Sequence, residues 1–519
     1  MTKKWLDTRR SYLQKLKSQS GLITGLDDSV ITDYARSNVD LYKRVWFKDS
    51  EEDFFKYCEE KKVILCGDFH SSPAVKRFYV RLFKKHVEQL KGSSIMALEC
   101  FEQKDDPLFQ KWLAGEIKDE QLLESSGWDT NWGFSWKSYK RFILKLHKFG
   151  FEIRCVNSLE NGFDKRDRVL AENLKALSDK GKKVFCLIGQ HHLGPENLPK
   201  KIEDVFGSKE AVCLHLDSEE IYFALEEYNL LKEVQILSLE NHFCFLSTPP
   251  WVHWQNHLLH LDELYEGGVD DDEEEDEGDE ELRGEDFNAV VFDYVQLLRK
   301  DLAIPEELKP IDVAFIDEYV VDGMSERNLY EIMAPLLDSE TSFYWPEQFE
   351  GIMVQGSLNQ AAAVAGKYLH VSLMGSKELP WGDTESFEIW CWLEAIGHML
   401  SKFINPKRST VNRHNLSAFL SARLGHEEGT KLLKTLVKGR ILELDQGVKL
   451  GNPVGLTWSE IVYASRLKGA LVGESLFDLY SKGRISSETL RTYLSVPIDD
   501  KKRFGEFYNL ILQRLEISI

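Results

Sequence analysis

Several common signals are absent from this sequence, and each absence removes a class of protein. Eight cysteines stand at positions 58, 66, 100, 155, 186, 213, 244 and 391, never closer than eight residues apart, so no CxxC zinc knuckle or dithiol redox motif is available. Several sit in apolar runs such as Val63-Ile-Leu-Cys66 and Val184-Phe-Cys186, which points to buried, reduced thiols in a reducing compartment. Basic charge is in deficit: 65 Lys and Arg face 86 Asp and Glu, for a net charge of −21. Such a surface repels phosphate backbones and anionic lipid, which argues against general nucleic-acid binding. No run of about 18 apolar residues occurs, and the basic N-terminal residues lead into more charge, so no membrane span is expected and the expected location is cytoplasmic.

What is present supports sizeable cores. Hydrophobic residues make up 43% and aromatics 12% of 519 residues, enough for two or three domains. Residues 1–50 read as an amphipathic helical arm (Trp5, Leu6, Tyr12, Leu13, Leu16, then Leu41, Val45, Trp46). From 51 to 265 short apolar runs alternate with helical segments, which predicts an α/β domain with a mainly parallel sheet and flanking helices. The expected strands are Val63–Cys66, Ile95–Leu98, Phe151–Val156, Val184–Ile188 and Ala211–Leu216. Between Asp270 and Glu281 every residue except Gly278 is acidic, so 266–286 reads as a flexible acidic linker. Residues 287–519 read as a mostly α-helical C-terminal domain of unknown role.

In open α/β sheets ligands bind beyond the carboxyl ends of the strands. The first strand leads into Gly67-Asp-Phe-His70, the second into Glu99, and the fourth into Gly189-Gln-His-His192, so the same glycine-to-histidine device occurs twice. A glycine after a buried strand permits a tight turn, and the histidine three residues on can project over the sheet edge. His70, Glu99 and His192 on one face would make a divalent-metal site, or a general-base site with Glu99 orienting a histidine. Asp68 and Asp167 stand beside them as charges able to tune the histidines.

These motifs, with Leu98-Glu99-Cys-Phe, Arg166-Asp-Arg-Val-Leu-Ala171 and Thr248-Pro-Pro-Trp-Val252, resemble the ChaN family of haem-binding uptake proteins. That family shares a superfamily with Tiki proteases, TraB proteins and erythromycin esterases, and the resemblance covers roughly residues 55–260. It implies that His70 and His192 are the motif histidines, Glu99 the motif glutamate and Arg166 the motif arginine, the last holding an anionic group. It implies haem or a divalent metal ion as cofactor, and a small-molecule or haem ligand as partner. The first motif departs from relatives, which usually carry glutamate where Asp68 stands. The expected function is therefore a ChaN-like ligand-binding protein with a haem- or metal-competent pocket. A hydrolase of the Tiki or erythromycin-esterase type, using metal-bound or histidine-activated water, is the alternative; a non-catalytic interaction scaffold is the third.

Weaker signals accompany these. Trp128, Trp132, Trp136 and Tyr139 could wall a flat ligand or simply stripe the core, and Tyr139 is available as a haem-binding residue. His253, His257 and His260 follow Trp251 at helical spacing, and Glu394 and His398 stand four apart; core or ion-pair use is the expectation for both groups. Asn412–Lys449 hints at a winged helix, and 287–519 could contact a protein partner rather than DNA. Nothing in the sequence sets the oligomeric state.

Overall fold

A computed structural model describes residues 3–24, 29–159, 162–231, 233–266, 284–315, 332–336, 341–408 and 455–516, together with 339, 417 and 438–439. The acidic run and nearly all of the winged-helix stretch lie outside the described residues. The chain divides into two compact units, one of Arg9–Val269 and one of Asp270–Ile519 with Met1–Thr8.

The Arg9–Val269 unit is built on one eight-stranded sheet: β1 (Phe47–Lys48), β2 (Val63–Asp68), β3 (Ser94–Glu102), β4 (Glu152–Asn157), β5 (Lys183–Gly189), β6 (Ala211–Leu216), β7 (Ile236–Leu239) and β8 (His242–Phe245). Their order across the sheet is β1-β7-β8-β6-β2-β5-β3-β4. The six from β8 to β4 run parallel, and β7 and β1 close one edge antiparallel. All five strands expected from the sequence are present; β8 is the apolar run ahead of Pro249-Pro250, and β7 and the two-residue β1 are additional.

Strand side chains alternate between faces, so a run apolar at every position needs cover on both sides. Here Ile64, Cys66, Met96, Leu98, Phe185 and Leu187 join one core with Phe54, Tyr79, Phe83, Phe142 and Leu146. Those partners come from helices Glu51–Glu59, Pro73–Lys85 and Trp136–Lys148. Val63, Leu65, Ala97, Val184, Cys186 and Ile188 face the other way, onto Leu170, Leu174, Leu198 and Ile202. Helices Phe163–Ser178 and Leu198–Phe206 supply that layer. The result is a three-layer α/β/α stack. All eight cysteines are buried and free, with burial raising the thiols of Cys58 and Cys244 to about 12.

The open edge of β4 is blocked from within: Cys155 N–H donates to Asp106 at 2.9 Å and Gln110 donates to the Ile153 carbonyl at 2.8 Å. Covering an edge in this way removes a template for pairing with another chain.

In the second unit the helices Asn288–Leu302, Leu358–Met374, Phe387–Ile404, Trp458–Ser481, Ser487–Leu494 and Lys501–Glu516 dominate, as the sequence suggests. Three short strands accompany them, β9 (Asp312–Phe315), β10 (Phe343–Trp345) and β11 (Glu350–Met353), in a sheet of order β10-β11-β9. Helix Trp458–Ser481 meets Phe387–Ile404 at glycines: a Cβ on Gly469 would stand 2.4 Å from Glu394 Cβ, and one on Gly473 2.4 Å from the Ala395 carbonyl. Glu394 pairs there with Lys367, and His398 lies 3.3 Å from Glu474, so both are used in polar contacts between helices. Among the described residues no helix is long and apolar enough to cross a membrane.

Candidate functional site

Strand register brings the two histidine loops together. Asp68, the last residue of β2, lies opposite Gly189, the last of β5. The close approach needs glycine: a Cβ at Gly189 would stand 2.9 Å from His70 Nε2 and 3.5 Å from His192 Cδ2. On the other flank of β5 the pairing of β3 with β4 slips, so that four positions from Leu98 to Glu102 match only two from Cys155 to Asn157. Such a bulge re-aims side chains locally, and Glu99 lies within it.

Glu99 is buried and divides its two oxygens. Oε1 accepts from Arg166 Nη2 at 2.5 Å and stands 3.3 Å from His192 Nε2; Oε2 accepts the Gly189 N–H at 2.6 Å and stands 3.9 Å from His70 Nε2. Burial alone would raise this carboxyl, but His192, Arg166 and His70 outweigh it and hold the group well below the usual carboxylate range. Arg166 also donates from Nε to Asn157 Oδ1 at 3.0 Å.

The two histidines lie in different surroundings. His192 has a side-chain exposure of 5% and makes a 2.5 Å hydrogen bond from Nδ1 to Asp167. Burial would lower its pKa, yet Glu99 and Asp167 together push it up to about 9, so it is an imidazolium at neutral pH. His70 is 24% exposed, and its Nδ1 lies 3.0 Å from Asp68. Asp68 is further fixed by Lys76 Nζ at 2.8 Å and by the Tyr139 hydroxyl, which donates to it at 2.7 Å. Burial opposes ionisation of Asp68, and Lys76 with His70 reverses that and lowers its pKa.

The structure gives Tyr139 a different role from the haem-binding one expected of it. Its side chain is buried at 1% exposure, its hydroxyl is committed to Asp68, and burial beside that carboxylate raises its pKa well above the ordinary value. It positions Asp68 and, through it, His70. The tryptophans divide in the same way: Trp128 and Trp136 belong to the core, whereas Trp132 is partly buried, with its ring 4.5 Å from that of His70. Phe134 stands 5.1 Å from His70 and 4.7 Å from His260. The indole Nε1 of Trp132 is buried and meets no acceptor among the described residues.

In this structure the three residues of the divalent-metal expectation, His70, Glu99 and His192, already have protein partners. Among the described residues no group of three or more His, Cys, Asp or Glu has a metal-holding arrangement. A guanidinium and a backbone N–H already engage the Glu99 oxygens, and His192 lies between the carboxylates of Glu99 and Asp167.

Two parts of the site go beyond the sequence reading, although His253 stands among the histidines noted after Trp251. Tyr34, on helix Ser29–Tyr42, lies 2.7 Å from His192 Nδ1 and donates to Asp167 Oδ2 at 2.6 Å. No local signal distinguishes it, because its partners are 133 and 158 positions away. The other is a buried relay behind His70. His253 bonds Asp217 through Nε2 at 2.9 Å and Ser72 Oγ through Nδ1 at 2.9 Å. The three residue types are those of a hydrolytic triad, but Ser72 is 0% exposed, so no acyl group can reach its hydroxyl. The relay instead braces the loop after β2. Ser72 precedes Pro73 at the helix start without a side-chain cap bond, its hydroxyl being engaged by His253, whose ring stacks on Phe69 at 4.3 Å.

Fold and site together define an α/β protein with a polar cluster at the carboxyl edge of a parallel sheet. Residues 54–159 match the family described as haem-binding uptake, Tiki superfamily, ChaN, the family the sequence motifs resemble. The match takes in about a fifth of the chain, including the first histidine motif and Glu99; Arg166 and His192 lie beyond it. A solved structure described as cofacial heme binding to ChaN of Campylobacter jejuni is similar over 33% of this chain and 88% of that one, at 19% identity and a TM-score of 0.25. No curated protein matches the chain.

Proposed function

We propose that this protein binds haem at the carboxyl edge of its parallel sheet, with His70 as the residue that would hold the iron. The observation that carries this reading is the surroundings of His70: Nδ1 is anchored by Asp68, Nε2 stands 3.9 Å from Glu99 with no hydrogen-bond partner among the described residues, and the side chain is partly exposed beside Trp132 and Phe134. An imidazole oriented through one nitrogen by a carboxylate is the donor that iron favours at the other. Haem when bound supplies an iron centre and two carboxylates. His70 would take the iron and Arg166, 22% exposed, would face an anionic group, while Glu99, Asp167 and His192 would hold the pocket floor rigid. Titrating the full chain with hemin tests this. A saturable Soret band that is lost in His70→Ala is expected; no Soret change with the unmodified protein overturns it.

The Asp68–His70 pair favours one second reading, hydrolysis with His70 as general base for water. Ester or peptide turnover that is lost in both His70→Ala and Asp68→Asn would select it over haem binding.

A further inference from the structure

We infer that the N-terminal helix Ser29–Tyr42 is part of the ligand site and that Tyr34 is a positioning residue which, with Asp167, fixes the orientation and protonation of His192. The link to a ligand rests on the haem reading above; the role of Tyr34 itself follows from the hydrogen bonds around His192.

A tyrosine hydroxyl has one proton to donate. Its oxygen lies 2.6 Å from Asp167 Oδ2 and 2.7 Å from His192 Nδ1. The same Nδ1 lies 2.5 Å from Asp167 Oδ1, a contact that a bare nitrogen lone pair could not make with a carboxylate. Nδ1 must therefore carry a proton, directed at Asp167 and at the Tyr34 oxygen, and the Tyr34 proton goes to Asp167. The three groups close a ring of hydrogen bonds. With Nδ1 committed, only Nε2, facing Glu99 at 3.3 Å, can change its state.

The helix is fastened so that Tyr34 stays in place. Its ring stacks on Phe163 at 4.3 Å, with 13° between the planes. Asn38 donates to the carbonyls of Gln190 and His191 at 3.0 and 3.1 Å, and Asn197 donates to the carbonyls of Tyr34 and His191 at 3.0 and 2.9 Å. A Cβ on Gly194 would stand 2.8 Å from the Ser37 hydroxyl, so helix and loop approach as closely as a glycine allows. The second histidine motif is thus held by a segment that lies outside the stretch matching the ChaN family.

The test compares full-length wild type, Tyr34→Phe, which keeps the stacked ring and loses only the hydroxyl, and Tyr34→Ala. The first readout is the ring N–H resonance of His192 in histidine-labelled protein, assigned with His192→Asn. The second is the hemin dissociation constant from the Soret band, and thermal unfolding serves as control. Tyr34→Phe should move the Nδ1–H resonance and speed its exchange with water in a protein that still folds with a modestly lowered melting temperature, and weaken hemin binding about threefold to tenfold, since the lost bond reaches the ligand only through His192. Tyr34→Ala should lose more. An unmoved His192 resonance in Tyr34→Phe overturns the assignment, whatever the hemin result. If wild type gives no Soret band but the resonance moves, the haem reading fails and the role of Tyr34 stands.

Discussion

The loops after β2 and β5 carry the same motif, a glycine and then a histidine three residues on, and the fold gives the two histidines opposite characters. His70 makes one hydrogen bond to a carboxylate, has no hydrogen-bond partner at Nε2 among the described residues and is partly exposed among aromatic rings. His192 is buried between two carboxylates under Tyr34 and is charged at neutral pH. A short motif marks where a strand ends; the groups that folding assembles around the side chain decide its surroundings. The C-terminal unit sharpens the point. Its buried charges, Lys367 with Glu394 and Lys402 with Glu474, are paired between packed helices, so buried charge by itself does not mark a site.

Removing the groups that hold His192 charged should have the largest effect. Glu99→Ala strands Arg166 and the imidazolium without their shared acceptor, and His192→Ala strands two carboxylates; each should cost about 3–5 kcal/mol by urea unfolding. His70→Ala leaves Asp68 its bonds to Lys76 and Tyr139 and should cost only about 1 kcal/mol. Equal losses at the two histidines would end the comparison.

Next comes pH. The folded pKa of His192, about 9, lies above the ordinary value near 6.5, so its contribution is complete below about pH 6.5 and is lost as pH rises through 9. Unfolding free energy should fall by about 3 kcal/mol over that window. Asp167→Asn should flatten the fall, since Asp167 is one of the two carboxylates that raise the pKa. Glu99 and Asp68 act with the opposite sign: their depressed pKa values add stability above the ordinary carboxylate range, and it is lost on acidification. A stability profile flat from about pH 6.5 to 9.5 would contradict a charged His192.

Smaller effects separate the loops further. Gly189→Ala places a methyl 2.9 Å from His70 Nε2 and should cost about 1–3 kcal/mol while weakening any ligand held by His70. Tyr139→Phe removes one buried hydrogen bond to Asp68 and should cost about 1 kcal/mol, read from the shift in denaturation midpoint.

Much of this molecule is legible in its amino-acid sequence, and the parts that are not share a cause. Val63–Cys66, Val184–Ile188 and their parallel partners announce themselves because burial on both faces demands an unbroken apolar run, a local property. Gly67 and Gly189 prove to be strand residues rather than turns: β2 runs on to Asp68 and β5 to Gly189, and the missing side chains admit Gln190 and His70. β7 and β1 escape because they are short strands at a sheet edge, and β9 pairs with β11 across nearly forty positions.

The residues themselves determined the α/β alternation, the two histidine motifs and the strand-end Glu99. Only the tertiary structure decided that Glu99 is shared between Arg166 and a backbone N–H, that Tyr139 serves Asp68, that Ser72 and His253 brace a loop, and that Tyr34 completes the surroundings of His192. The reason is electrostatic: a charge state follows from every group within a few ångströms, and folding gathers those groups from positions as far apart as Tyr34 and His192.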